Sequence, residues 1–301
     1  MPDYPVQKVL FILNPLAGGK PKYAWEKGIR DFFKTSPHQF EIYDTTGQND
    51  QESIRYWVNS WKPDKVVVVG GDGTLKKVAE VLIGSGIPIC VFPAGSSNGM
   101  ARELEMPATP ADCLTVLFEG MVKTIDILRI NDTEVCIHLS DIGINAQLVK
   151  YFEENDMRGK IGYAKEIFRV LWRKRLMNLN IKRNNENLIR TAFMVVIANA
   201  RMYGTGARIN PVGALDDGLF EVIILRKLSL IELLKMLFLN RPFNPKKTEV
   251  LQADSLTIEV RKRAYFQVDG EYLGRTKKIS AHVESRALNV IIPKKNGDGE
   301  R

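Results

Sequence analysis

The chain has 301 residues, 45% apolar and 26% charged, enough to bury a large core and long enough to favour two domains over one. Three cysteines without paired spacing (Cys90, Cys113, Cys136) and three scattered histidines (His38, His138, His282) argue against a disulfide framework and a metal cluster. The formal charge of +8 suits an anionic partner such as a nucleotide or an acidic membrane surface, whereas nucleic-acid binding lacks aromatic platforms or a groove-reading motif.

No segment approaches the ~20 apolar residues that cross a bilayer, and no early stretch has the make-up of a secretory leader. The expected location is therefore cytoplasmic. In chain order, Lys8 to Leu13 reads as a strand, Tyr23 to Phe33 as a helix and Phe40 to Tyr43 as a second strand. Ser53 to Trp61 reads as a helix, Lys65 to Val69 as the third strand, Leu75 to Ile83 as a helix and Ile87 to Phe92 as the fourth strand. A short helix, Gly99 to Leu104, stops before Pro107. This alternation predicts an α/β domain built on a doubly wound parallel sheet.

After about residue 125 the pattern becomes short strands joined by turns, at Ile125–Ile130, Glu134–Leu139, Leu179–Arg183, Thr191–Ile197, Leu219–Leu225, Ser255–Val260 and Ala264–Val268. Helical insertions are predicted near 147–177 and 228–239. A mostly antiparallel β-sandwich is expected here. The reading divides the chain into an α/β domain over 1–128, to which 284–293 can return, a sandwich over 129–283, and a disordered tail over 294–301.

The most informative stretch is Val66-Val67-Val68-Val69-Gly70-Gly71-Asp72-Gly73-Thr74-Leu75. Four β-branched residues form a strand buried on both faces, and two glycines allow a sharp turn and a close approach. Thr74 is placed as the N-cap of the following helix. A strand, a glycine turn with one carboxylate and a helix start make a site for a phosphate and its metal. Two more loops leave strand ends on the same pattern: Asn14-Pro15-Leu16-Ala17-Gly18-Gly19-Lys20 and Pro93-Ala94-Gly95-Ser96-Ser97-Asn98-Gly99. One such loop is ordinary turn chemistry; three at one sheet edge point to a polyphosphate ligand. Lys20 does not complete a P-loop, and no Gly-x-Gly-x-x-Gly opens a helix.

The second half adds acids at glycine turns. Ala214-Leu215-Asp216-Asp217-Gly218-Leu219 can hold a hard cation or be a plain turn before a strand. In Phe266-Gln267-Val268-Asp269-Gly270-Glu271, a carboxylate can accept a proton from an attacking hydroxyl, or the acids can simply solvate a hairpin.

With these motifs in order, from about Val9 to Ile292, the chain resembles the lipid kinases of the diacylglycerol kinase and sphingosine kinase family and their bacterial relatives. The resemblance implies ATP, with Mg²⁺, bound between a nucleotide-binding domain and a sandwich that presents a lipid. It implies nucleotide contacts from Asn14, Pro15, Thr45, the Gly70–Leu75 loop, Gly95, Ser96 and Asn98. It further implies a structural Mg²⁺ at Asp217 with the carbonyls of Ala214 and Leu219, and an additional metal-placing acid in Asp126. Catalysis falls to Asp72 and to Glu271, the matching proton acceptor, with Asp269 beside it.

Three positions depart from the family pattern: Lys76-Lys77 replace Asn-Glu, Gly99 replaces an Asp, and Gln147 replaces the acid that holds a sphingoid amine. A neutral lipid alcohol such as diacylglycerol therefore fits better than a sphingoid base, and Lys76-Lys77 disfavour an NAD kinase. A non-catalytic nucleotide- or lipid-binding protein is the alternative of another class. Membrane contact is expected through 160–183, where cations interleave with apolar residues, while 228–239 suits core packing or an acyl pocket. A homodimer is left open.

Overall fold

The computed structural model describes residues 5–19, 22–155, 176–184, 186–201, 213–227 and 245–294. The chain divides into two compact units, Met1–Ile125 with Arg286–Arg301 and Asp126–Ser285. The sequence had suggested divisions at 128 and 283.

In the first unit, β1 (Lys8–Leu13), β2 (Gln39–Asp44), β3 (Lys65–Gly70) and β4 (Ile89–Pro93) lie in the order β4-β3-β1-β2, all parallel. Val66 to Val69 are fully buried, as a strand covered on both faces requires. The helices are α1 (Tyr23–Phe33), α2 (Asp50–Trp61), α3 (Asp72–Leu82), α4 (Gly99–Glu103) and α5 (Pro110–Glu119). Phe11 of β1 centres the core, with the rings of Phe33, Phe40 and Phe92 at centroid distances of 5.8, 6.3 and 6.0 Å. Ile29 and Phe33 of α1 and Cys113, Leu114 and Leu117 of α5 close the same cluster.

α5 was not expected from the sequence, although its start is conventional. Pro110 stands in the first turn, and the Thr109 hydroxyl accepts the Asp112 amide at 3.2 Å.

In the second unit the strands are β5 (Met121–Ile130, which begins in the first), β6 (Glu134–Cys136), β7 (Leu139–Gly143), β8 (Met177–Arg183), β9 (Glu186–Ala192), β10 (Met194–Ala198), β11 (Phe220–Leu225), β12 (Thr248–Ala253), β13 (Ser255–Val268) and β14 (Glu271–Ile292). One helix, α6 (Ile144–Asn155), follows β7. Their pairings run antiparallel. β13 serves two ladders: Thr257–Val260 pair with β8, and Phe266–Val268 pair with β7. Ile142, Ile181, Val195, Phe220, Ile258 and Val268 meet in the core it spans. β14 ends in the first unit, where Val290 pairs in parallel with Ile89.

Several expectations are corrected. The two strands read at 255–260 and 264–268 are one strand interrupted by a register shift. Glu134–Leu139 breaks into two strands, and α6 starts before the predicted insertion. β9, β12 and β14 were missed: in β9 and β12 the apolar Ile189 and Val250 are exposed, which blurs the alternation, and β14 carries charged residues along its exposed positions. The predicted helix over 228–239, most of the interfacial segment 160–183 and nearly all of the predicted tail lie outside the described residues.

Asp141 of β7 is 1% exposed and ties three elements together. Its carboxylate accepts the Ala146 amide in the first turn of α6 at 2.9 Å, the Asn145 side chain at 2.5 Å and the Gln267 side chain of β13. Burial pushes its carboxyl up to about 6, against the pull of these donors. A folded pKa above the unfolded value of 3.8 favours the folded state while the group is protonated, and that contribution fades as pH rises towards 6. The difference in unfolding free energy between wild type and Asp141→Asn should therefore change across pH 4–6, with wild type losing ground as pH rises. Urea denaturation across that range tests this; parallel profiles would refute it.

Candidate active site

The sheet order brings the carboxyl ends of β1, β3 and β4 side by side, and each strand runs into one of the three glycine loops. The loops are locked to one another. The Asn14 amide donates to the Thr74 hydroxyl at 3.1 Å, while its oxygen accepts the Leu16 amide at 3.0 Å. This joins the first loop to the second. Gly18, at φ +64°, has Ala94 O and Gly95 C both 3.1 Å from where a Cβ would sit, which joins the first to the third.

The second and third loops touch backbone to backbone. A Cβ on Gly95 would stand 2.4 Å from the Gly71 Cα and 2.9 Å from its nitrogen. Neither Gly70 nor Gly71 has a positive φ. The glycines serve close approach rather than an unusual turn. α3 begins at Asp72 with Gly71 as its N-cap, so Thr74 is not the cap; it lies buried in the first turn. β3 and α3 are joined almost directly, which leaves no room for the longer turn expected from the sequence.

Asp72 connects two of the loops. Its two oxygens accept the Gly99 amide at 2.8 Å and the Met100 amide at 2.9 Å. It thereby caps α4, whose own N-cap, Asn98, makes no side-chain capping bond. Asn98 instead clasps Gly95, accepting its amide at 2.8 Å and donating to its carbonyl at 3.0 Å. Gly99, where the family pattern has an acid, places its main-chain amide on Asp72.

Around this framework, Pro15, Gly73, Ser96 and Ser97 are exposed, whereas Leu75 and Thr45 are buried, the Thr45 amide donating to Leu13 O at 2.8 Å. Lys20 lies outside the described residues.

Sequence reasoning missed Asp50. It is 3% exposed and accepts the Thr46 and Gly47 amides at 2.8 and 3.2 Å and the Tyr43 hydroxyl at 3.2 Å. Lys77 of α3 donates to it at 3.1 Å. Burial works to raise its carboxyl, but the Thr46 amide and the Lys77 ammonium outweigh burial and hold it below the usual range. The loop after β2 is thus fastened to α3 at the same sheet edge, and Lys77 has a structural reason. The Thr-Thr-Gly-Gln-Asn-Asp run after β2 was the available signal.

In the second unit, Asp126 is 1% exposed. Its carboxylate accepts the Gly218 amide at 2.7 Å, and its amide donates to Leu215 O at 2.6 Å. The turn bearing Asp217 is held there, with Gly218 at φ +73°. Asp217 is exposed and accepts the Leu219 amide at 3.0 Å. No group of three His, Cys, Asp or Glu side chains suited to a metal occurs among the described residues. A carboxylate with main-chain carbonyls is nonetheless a donor set of hard oxygens.

Asp269 and Gly270 form the two-residue turn between β13 and β14, both with positive φ. The Asp269 carboxylate accepts the amides of Ile137, His138 and Leu139 at 2.9, 3.0 and 3.0 Å. Its oxygens are committed to the main chain. Glu271, two residues on, is exposed.

Gly95→Ala forces its new Cβ against main-chain atoms that cannot swing aside. We expect a loss of about 1–3 kcal/mol in stability, comparable to overpacking of a tight core. Thermal melts of the variant and the wild type check this.

The chain matches the diacylglycerol kinase catalytic domain over residues 8–130 and the YegS C-terminal NAD kinase beta sandwich-like domain over 140–292. A Staphylococcus saprophyticus diacylglycerol kinase is 26% identical over 95% of this chain and 97% of its own. For an uncharacterized Synechocystis protein, 25% identical, the match covers 77% of this chain but only 55% of that protein. The Mycobacterium tuberculosis diacylglycerol kinase is 29% identical over 58% of each chain. A Bacillus anthracis diacylglycerol kinase crystal structure shares the fold, with a TM-score of 0.72 at 20% identity, covering 95% of this chain and 97% of that one. With a mixed α/β unit followed by a mostly antiparallel one, and both domain families matched, the chain belongs to the bacterial diacylglycerol kinase and YegS-like family of lipid kinases, phosphotransferases that use ATP.

Proposed function

We propose that this protein transfers the γ-phosphate of ATP to the hydroxyl of a neutral lipid alcohol, with diacylglycerol the leading acceptor. The observation that carries the reading is the mutual locking of three phosphate-suited loops at the carboxyl edge of β1, β3 and β4. Main-chain amides at a helix start and exposed hydroxyls at Ser96 and Ser97 suit a triphosphate. Phosphoryl transfer asks mainly for positioning and charge neutralisation, which a rigid, preformed cradle supplies.

In this reading Asp72 holds the third loop in register beneath the phosphates. Asp217 with the carbonyls of Ala214 and Leu219 would hold a structural Mg²⁺, and Asp126 would help place the catalytic Mg²⁺, which when bound neutralises negative charge. Glu271 accepts the proton of the lipid hydroxyl as its oxygen bonds to the γ-phosphorus and the bond to the ADP oxygen breaks. Asp269 is a positioning residue here, because three main-chain amides occupy its oxygens. A peripheral position on an anionic membrane surface agrees with the charge of +8.

Glu271→Gln should cut kcat by about 10²–10⁴-fold while ATP still raises the melting temperature. Asp72→Asn, which spoils one of two amide bonds to α4, should lose turnover and weaken ATP binding together. Transfer of label from ATP to lipid in a mixed extract measures turnover. Wild-type activity in Asp72→Asn would sink the proposal. Sedimentation with anionic vesicles at low salt tests the membrane position, and absence of binding would remove it.

A further inference from the structure

Asn199 follows β10 directly and is polar, yet it is fully buried. Ala198 and Leu139 pair across β10 and β7, and the ladder continues one step beyond them. There the Asn199 amide donates to His138 O at 3.0 Å. The side chain reaches two further segments. Its Nδ2 donates to Asp126 O in β5 at 2.9 Å and to Ile137 O, between β6 and β7, at 3.2 Å. Both partners are carbonyls, which only accept, so the amide nitrogen must face them. One buried side chain thereby sets the spacing of two stretches of main chain.

Each stretch leads to an acid of the proposed chemistry. Asp126 is pinned at three points: its amide on Leu215 O at 2.6 Å, its carboxylate on the Gly218 amide at 2.7 Å, and its carbonyl on Asn199. The segment 137–139 is gripped from two sides. Asn199 takes the carbonyls of Ile137 and His138, while the Asp269 carboxylate takes the amides of Ile137, His138 and Leu139. The Asp269 amide closes the ring on Leu139 O at 2.8 Å. Two residues further on stands Glu271. A hydrogen-bonded route therefore runs from Asp126 through Asn199, the segment 137–139 and Asp269 to the turn before Glu271, all within the second unit.

We propose that Asn199 is a positioning residue for phosphoryl transfer, holding the turn that presents Glu271 at a fixed spacing from Asp126. The inference rests on the roles given to those two acids above. A displacement of 1 Å can cost about 10²-fold in rate, which gives a buried tether of this kind its leverage. Leucine or aspartate would occupy a similar volume but donate nothing, leaving two buried carbonyls without this partner.

Asn199→Leu and Asn199→Asp should each lower kcat about 10–100-fold, with the KM for ATP within about twofold of wild type, well below the melting temperature. In the full chain without ATP or metal, hydrogen exchange at the amides of Ile137, His138 and Leu139 should accelerate about tenfold, while the β3 amides keep wild-type rates. A purely structural residue would lower the melting temperature and leave kcat alone. In a Glu271→Gln background, Asn199→Leu should cost less than about threefold, because the group it aligns is gone. Wild-type kcat in both variants, unchanged exchange at 137–139, or additive losses in that cycle would each overturn the proposal. Full activity of Glu271→Gln alone would instead sink the reading of Glu271, and the exchange rates would then decide whether the tether exists.

Discussion

The contact between the backbones of Gly71 and Gly95 is the constraint on which the first unit's loop edge depends. Two loops from neighbouring strands approach until no Cβ fits between them. At that distance the Asp72 carboxylate reaches across to the amides of Gly99 and Met100. Hydrogen bonds to a charged acceptor typically contribute about 1.5–3 kcal/mol each, ample to hold a five-residue helix that could not persist alone. Asn98 and Asn14 then close the remaining gaps, and the loops become one preformed cradle.

The same device recurs away from the cradle. Asp269 gathers three successive amides ahead of β7, Asp126 holds the turn at Gly218, Asp141 starts α6, and Asp50 fastens the loop after β2 to Lys77. Each carboxylate accepts at least one main-chain amide, joined at Asp50 and Asp141 by side-chain donors. Loop backbone cannot satisfy its own polar groups, and one carboxylate can serve two or three of them. A carboxylate beside a glycine is therefore an ambiguous sign. In this protein several such acids shape the loops, whatever else they do.

The parallel sheet was legible because its signals are local. β1 and α1 were predicted residue for residue, and the run of four valines announced a strand covered on both faces. The antiparallel unit was less legible. β14 runs for 22 residues; Ile279 to Val283 alternates apolar with polar, but the charged stretches on either side hide its length. β13 was read as two strands because its bulge places Arg261-Lys262-Arg263 in the middle of an apolar pattern. Asp50 escaped notice because its partners are main-chain amides and a lysine 27 positions away.

The amino-acid order alone determined the alternation of strands and helices, the three glycine loops and the family to which they belong, because each rests on spacing within a few residues. The tertiary structure decided which glycines are demanded by close approach and which acids are consumed by the main chain. Those outcomes depend on distances between segments far apart in the chain. Such distances follow from strand order, register and bulges, which no local window contains.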